Sequence, residues 1–231
     1  MADLLKERLG LREQAFTYTG VDFFGPMIVK LSKKTRSNQA TAKRYGAIFT
    51  CLTVRAVHLE LAGDLSTDAF IMALRRFQAR RGRPKLIWSD NGTNFVGANN
   101  ELKTLINSLD QTTIQKELSV QGIEWKFNPP ASPWMGGVWE SMVKLTKKAL
   151  SSAFTDRLFT DESLYTLMCE VETVLNSRPL TPINDVPTDF NALTPQHFLS
   201  KPFESDDLTP TVTEANGNPS SQLQTFFGIV L

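Results

Sequence analysis

Histidine and cysteine are almost missing from this chain: its 231 residues include two of each. His58, His197, Cys51 and Cys169 cannot supply a zinc module built from paired His and Cys ligands. The two cysteines lie far apart in apolar settings and read as buried thiols. Long apolar runs are lacking as well. None approaches the roughly 18 residues needed to span a bilayer, so no membrane partner is expected. The opening MADLLKERLG carries charges where a signal peptide needs an apolar stretch. Acidic residues are scarce in one region. Lys30 to Lys85 holds thirteen basic and three acidic residues, whereas Ser151 to Leu231 holds three basic and eleven acidic ones. The net charge of +1 therefore hides an asymmetry that points to a polyanion partner, although a solvated basic face accounts for the same run.

What is present is the composition of a soluble globular chain, 41% hydrophobic and 21% charged. The length allows one large domain or one domain with appendages. Phe16–Lys30 reads as a strand with a Gly25-Pro26 break, followed by a loop too polar to pack. Tyr45–Leu52 and Val54–Leu61 read as two further strands. In the second, Val57, Leu59 and Leu61 alternate with His58 and Glu60, which makes Glu60 a surface residue. Ser66 or Thr67 caps a helix with Phe70, Ile71, Leu74 and Phe77 on one face and Arg75, Arg76 and Arg80 on the other, ended by Gly82 and Pro84. Asp64 and Asp68 belong to that cap by helix electrostatics.

Leu86-Ile87-Trp88 reads as a buried strand, Leu102–Leu109 and Ile114–Leu118 as helices, and Ile123, Trp125 and Phe127 as a strand. Asn128–Gly137 is a Pro/Gly-rich loop. A helix then runs from Val138 to Leu150 with Met142, Leu145 and Ala149 inward, and another from Ser163 to Ser177. Beyond Pro179 the pattern turns irregular. This order is that of a mixed α/β fold, a central sheet flanked by helices.

Three carboxylates sit in three different local contexts. Asp22 interrupts an apolar strand, where Asp is disfavoured and costly to bury unpaired. Asp90 follows a short apolar strand. Glu140 stands in the first turn of a helix. Each has an ordinary explanation of its own: a turn cap before Gly25-Pro26, turn chemistry in Asp-Asn-Gly, and a first-turn Glu suited to the helix dipole. Carboxylates delivered from separate elements also suit hard divalent cations and the two-metal cleavage and joining of phosphodiesters.

The blocks TGVDFFGP, YGAIFTCLTVRAVHLELAGDLSTDAFIMALRRFQARRG, IWSDNGTNFVGANNEL, FNPPASPWMGGVWESMVK, LNSRPLTP and ALTPQHFL, in this order over Met1 to Pro202, resemble the integrase catalytic core of the ribonuclease-H-like superfamily. The resemblance is to integrases of Bel/Pao-type long-terminal-repeat retrotransposons. It implies a mixed sheet of three antiparallel strands followed by parallel ones. It also implies a catalytic, metal-binding triad of Asp22, Asp90 and Glu140, with 49 residues between the last two. Two Mg²⁺ ions, or Mn²⁺ in their place, would support 3′-end processing and strand transfer, and no protein nucleophile is required. The enzyme class implied is a polynucleotidyl transferase and endonuclease acting in DNA integration. A catalytically inactive DNA- or protein-binding remnant of a transposable element is the alternative.

Lys144 and Lys147 follow Glu140 by four and seven residues and share its helix face, with Lys148 beside them. They, with Asn91 and Asn94, are the candidate DNA contacts, and Thr93 could help to orient Asp90. Trp134 and Trp139 read equally as base-stacking or core residues. The domain reading is a lead-in over residues 1–15, the catalytic core over 16–178, a C-terminal extension over 179–203 and a disordered tail over 204–231. The partners expected are DNA and further copies of the chain, with no small-molecule substrate. The nucleus is the expected site of action, although no basic cluster is strong enough to call a nuclear signal and Lys33–Arg36 is a weak candidate.

Overall fold

The computed structural model describes residues 13–31, 40–89, 104–106, 108–127, 133–153, 158–180 and 192–199. The chain divides into a unit over Met1–Ser200 and a second over Lys201–Leu231, and every described residue belongs to the first. Five strands form one sheet: β1 Tyr18–Lys30, β2 Thr41–Cys51, β3 Val57–Ala62, β4 Leu86–Ser89 and β5 Glu124–Phe127. The order across the sheet is β3-β2-β1-β4-β5. β1 runs antiparallel to β2 and β2 to β3, while β4 lies parallel to β1 and β5 parallel to β4. This is the mixed sheet expected from the sequence.

Helices cover both faces. They are α1 Thr67–Arg81, α2 Gln111–Val120, α3 Pro133–Ala153, α4 Asp161–Asn176 and α5 Pro195–Leu199. Alternation along β1 builds two cores, because successive side chains point to opposite faces. Val21 and Phe23 join Phe49, Phe70, Leu74, Phe77, Ile114 and Leu118 under α1 and α2. Phe24 and Val29 join Ile48, Leu59, Met142, Val143, Leu164 and Val171 under α3 and α4. The central strand thus feeds both layers.

Local chemistry sets the element ends. Ser66 caps α1 by accepting the Ala69 N–H at 3.2 Å, and Gly82 ends it at φ 88°, a conformation glycine adopts without strain. Asp64 accepts hydrogen bonds from the Ser66 hydroxyl and N–H, which hold its carboxyl below the ordinary value. Thr160 and Ser163 form a capping box at the start of α4. Gly46 has a different task. A Cβ there would lie 2.1 Å from Cζ of Phe24, so the missing side chain lets that ring lie across β2.

Several expectations need correction. β1 continues through Gly25-Pro26 with a register shift between Phe24 and Met27 instead of breaking there. The helix carrying Glu140 begins at Pro133, inside the segment read as a loop, so Glu140 is in its second turn and not its first. Leu145 is exposed; the inward stripe of α3 is Met142, Val143, Thr146 and Leu150. Cys51 is buried, but Cys169 is exposed, because the buried stripe of α4 runs through Leu164, Leu167, Met168, Val171 and Leu175. The stretch after Pro179 contains the short helix α5.

His58 and Glu60 do not face water. They are 1% and 0% exposed, because α1 covers the face of β3 from which they project. Of the helix expected over Leu102–Leu109, residues 104–106 are described as helical.

Candidate active site

Asp22 lies mid-strand in β1, between Val21 and Phe23, and is 5% exposed. Its pairing partner across β2 is Ile48, which belongs to the core under α3 and α4. Asp22 therefore projects from the face of the sheet that α3 covers. One carboxylate oxygen, Oδ1, accepts the Phe23 backbone N–H at 2.7 Å, which restricts its orientation. A carboxylate this buried is costly unless the site supplies polar or charged partners.

Glu140 reaches the same side on α3, which packs across β1 and β2. It is half-buried and precedes the buried Val143 by three residues, so it stands at the border of the helix's inward stripe. Lys144, Lys147 and Lys148 continue outward from that border, all exposed. The sheet thus offers one carboxylate and the helix a second over the same face, with cations on the solvent side.

The described part of β4 ends at Ser89. β4 pairs in parallel with β1 from Tyr18↔Leu86 to Val21↔Ser89. Ser89 precedes Asp90 in the chain, as Val21 precedes Asp22. Trp125 Nε1 donates to the Ser89 hydroxyl at 2.6 Å and anchors the end of β4 to β5. Asp90, Asn91, Thr93 and Asn94 lie outside the described residues, as do the side chains of Trp134 and Trp139. Among the described residues, no group of three or more His, Cys, Asp or Glu side chains is gathered to hold a metal ion. The set Asp22, Asp90 and Glu140 would be all oxygen, the donor chemistry of Mg²⁺ or Mn²⁺.

A second polar cluster escaped the sequence reading. Glu60 pairs with Arg76 at 2.5 Å and Arg80 at 3.3 Å, and Glu172 of α4 pairs with Arg81. His58 lies between the two carboxylates. Strand alternation put His58 and Glu60 on one face but could not say that an arginine-bearing helix covers it. The arginines of α1 were the available signal, since three of them recur on the side that meets β3.

No family model and no curated protein matches the sequence. Solved structures do match. A cryo-electron-microscopy structure of the simian T-cell lymphotropic virus intasome, in complex with the PP2A regulatory subunit B56 gamma, aligns with TM-score 0.51 and 16% identity over 88% of this chain. The chain spans 59% of the length of that protein. The catalytic core domain of HTLV-2 integrase, solved in complex with magnesium in a dimeric form, aligns with TM-score 0.50 and 15% identity over 82% of this chain and 99% of its own. The chain has the integrase catalytic-core fold: three antiparallel strands continued by two parallel ones, between helices.

Proposed function

We propose that the chain is the catalytic core of a retrotransposon integrase of the Bel/Pao type. In this reading Asp22, Asp90 and Glu140 form a metal-dependent site that trims element DNA ends and joins them to target DNA. One observation carries the reading: a buried aspartate on the central strand faces the side where α3 bears a half-buried glutamate, and the β1–β4 pairing ends one residue before Asp22 and Asp90. The family blocks quoted from the sequence and the shared fold support it.

Asp22, Asp90 and Glu140 would hold two divalent ions. Bound there, the ions supply activation of the attacking oxygen and stabilisation of the leaving one. The protein's own contributions are positional. Asp22 is held by the sheet and by the Phe23 N–H. Glu140 is carried on a 21-residue helix whose inward stripe is locked into the core. Rigid placement of this kind keeps reacting groups in line and lowers the entropic cost of attack by water or a DNA 3′-hydroxyl. Lys144, Lys147 and Lys148 would contact backbone phosphates, where charge supplies affinity without sequence information. DNA and further copies of the chain are the partners, and the nucleus is the place of action.

The test is nicking and joining of labelled DNA with Mg²⁺ or Mn²⁺ by the wild type and Glu140→Gln. Metal-dependent cleavage lost in the variant is the expected result. A folded wild type that binds DNA yet neither cuts nor joins it overturns the catalytic reading. DNA binding indifferent to Asp22→Asn and Glu140→Gln would then identify a binding remnant.

A further inference from the structure

The outer rim of the sheet is closed by side chains. β3 is an edge strand, and such edges present unpaired N–H and C=O groups that invite another strand. Here Val57 is gripped by Asn176 of α4: the Val57 N–H donates to Oδ1 and Nδ2 donates to the Val57 carbonyl, each at 2.8 Å. One turn earlier on α4, Glu172 Oε2 accepts the Leu59 N–H at 2.8 Å. From the other face, Arg76 of α1 donates to the Leu61 carbonyl at 2.9 Å. Residues 57, 59 and 61 are thus each engaged without a neighbouring strand.

His58 lies inside this seal. Its Nε2 is 2.9 Å from Glu60 Oε1 and its Nδ1 is 3.1 Å from Glu172 Oε2. A neutral imidazole has one N–H donor, so carboxylates at both nitrogens call for the doubly protonated ring. Arg81 Nε also lies 3.4 Å from Nδ1, a contact that would need an unprotonated acceptor there. The shorter, charge-assisted approach of Glu172 decides for the imidazolium. The other charged groups of the junction are Arg76 and Arg80 on Glu60, and Arg81 on Glu172. Arg80 also donates to the Tyr165 hydroxyl of α4 at 2.5 Å. β2 and α1 face the imidazole with the rings of Phe49 and Phe77. The side chains of Arg76 and Arg80 are 41% and 43% exposed, so water screens them, while the His58 side chain is 2% exposed.

We infer that protonated His58 is the bolt of a latch on the sheet's rim: its imidazolium holds the Glu172 carboxylate against β3, and loss of that proton loosens the Glu172 clamp on the edge strand. Burial alone would push the His58 pKa down, but hydrogen bonds to Glu172 and Glu60, and their charges, outweigh it and raise the value above 6.5. A raised histidine pKa gives stability that is complete below the unfolded value and is lost as pH climbs through the folded one. The latch is therefore closed in mild acid and opens on the alkaline side.

The full chain has two histidines, so an NMR titration of the imidazole resonances is readily assigned with His197→Gln. Amide exchange at Val57 and Leu59 between about pH 6 and about pH 9 reads the latch itself. The expected results are a His58 midpoint above 6.5 and a lower midpoint in Glu172→Gln. Edge-amide protection, corrected for intrinsic base catalysis, should fall about tenfold for each unit by which the His58 pKa is raised. A His58 midpoint at or below 6.5, or corrected protection that does not change with pH, overturns the inference. Both wild-type readouts stand even where the variant does not fold.

Discussion

Asp22 and Glu140 differ in how they are held, and their variants should differ accordingly. Asp22→Asn alters a 5%-exposed side chain in the central strand, whereas Glu140→Gln alters a half-buried one at the edge of a helix stripe. On the proposed metal-dependent mechanism, each should reduce nicking by on the order of a hundredfold or more, since losing a proposed metal ligand would remove several kcal/mol of transition-state stabilisation. Unfolding midpoints measured beside the rates should move more for Asp22→Asn. Lys144→Gln and Lys147→Gln should weaken DNA binding evenly across sequences, each lowering the salt-dependence slope by about one in a filter-binding or anisotropy titration. At Glu60 and Glu172 burial opposes the charge, but His58, with Arg76 and Arg81 respectively, holds both carboxyls below 4.5. Such carboxylates give stability that is present above the unfolded value and is lost as pH falls through the folded one. Denaturant midpoints should therefore drop on acidification below 4.5, and less steeply in Glu60→Gln.

At the scale of elements, packing between strands and helices makes its own demands. Gly46→Ala would drive a methyl into the Phe24 ring, which is 1% exposed and has nowhere to retreat. A destabilisation of about 1–3 kcal/mol is expected in chemical denaturation, partly recovered when Phe24→Leu is added. Asn176→Ala strips two hydrogen bonds from Val57 at a site 1% exposed, and should cost about 1–3 kcal/mol by the same assay. Much of the element order was legible in advance. Alternation marks β3, spacing marks α1 and α4, and Gly82 marks the end of α1 through its need for positive φ. The start of α3 was not legible, because Pro133, Gly136 and Gly137 look like loop chemistry, and only the helix around them shows otherwise. The facing of His58 and Glu60 was hidden for a related reason: period-2 patterning separates two faces but does not say what lies over either. Asp22 stood out because a carboxylate in an apolar strand contradicts its surroundings, whereas Glu172 and Asn176 look like ordinary helix polars until β3 is placed beside them.

For the molecule as a whole, the order β3-β2-β1-β4-β5 has a temporal consequence. The first three strands join their neighbours in the order they are made, through contacts local in sequence. β1 waits longer for its other neighbour, because β4 arrives only after β3 and the whole of α1. Until then the Tyr18–Val21 side of β1 has no strand beside it, and the apolar faces of the meander lack most of their covering helices. Long-range parallel pairing is slow, and uncovered strands are prone to associate wrongly. Chains halted during synthesis between Ala62 and Leu86 should therefore be the most sticky intermediates, and the two parallel seams, β1–β4 next to Asp22 and then β4–β5, should be the last parts of the sheet to zip shut.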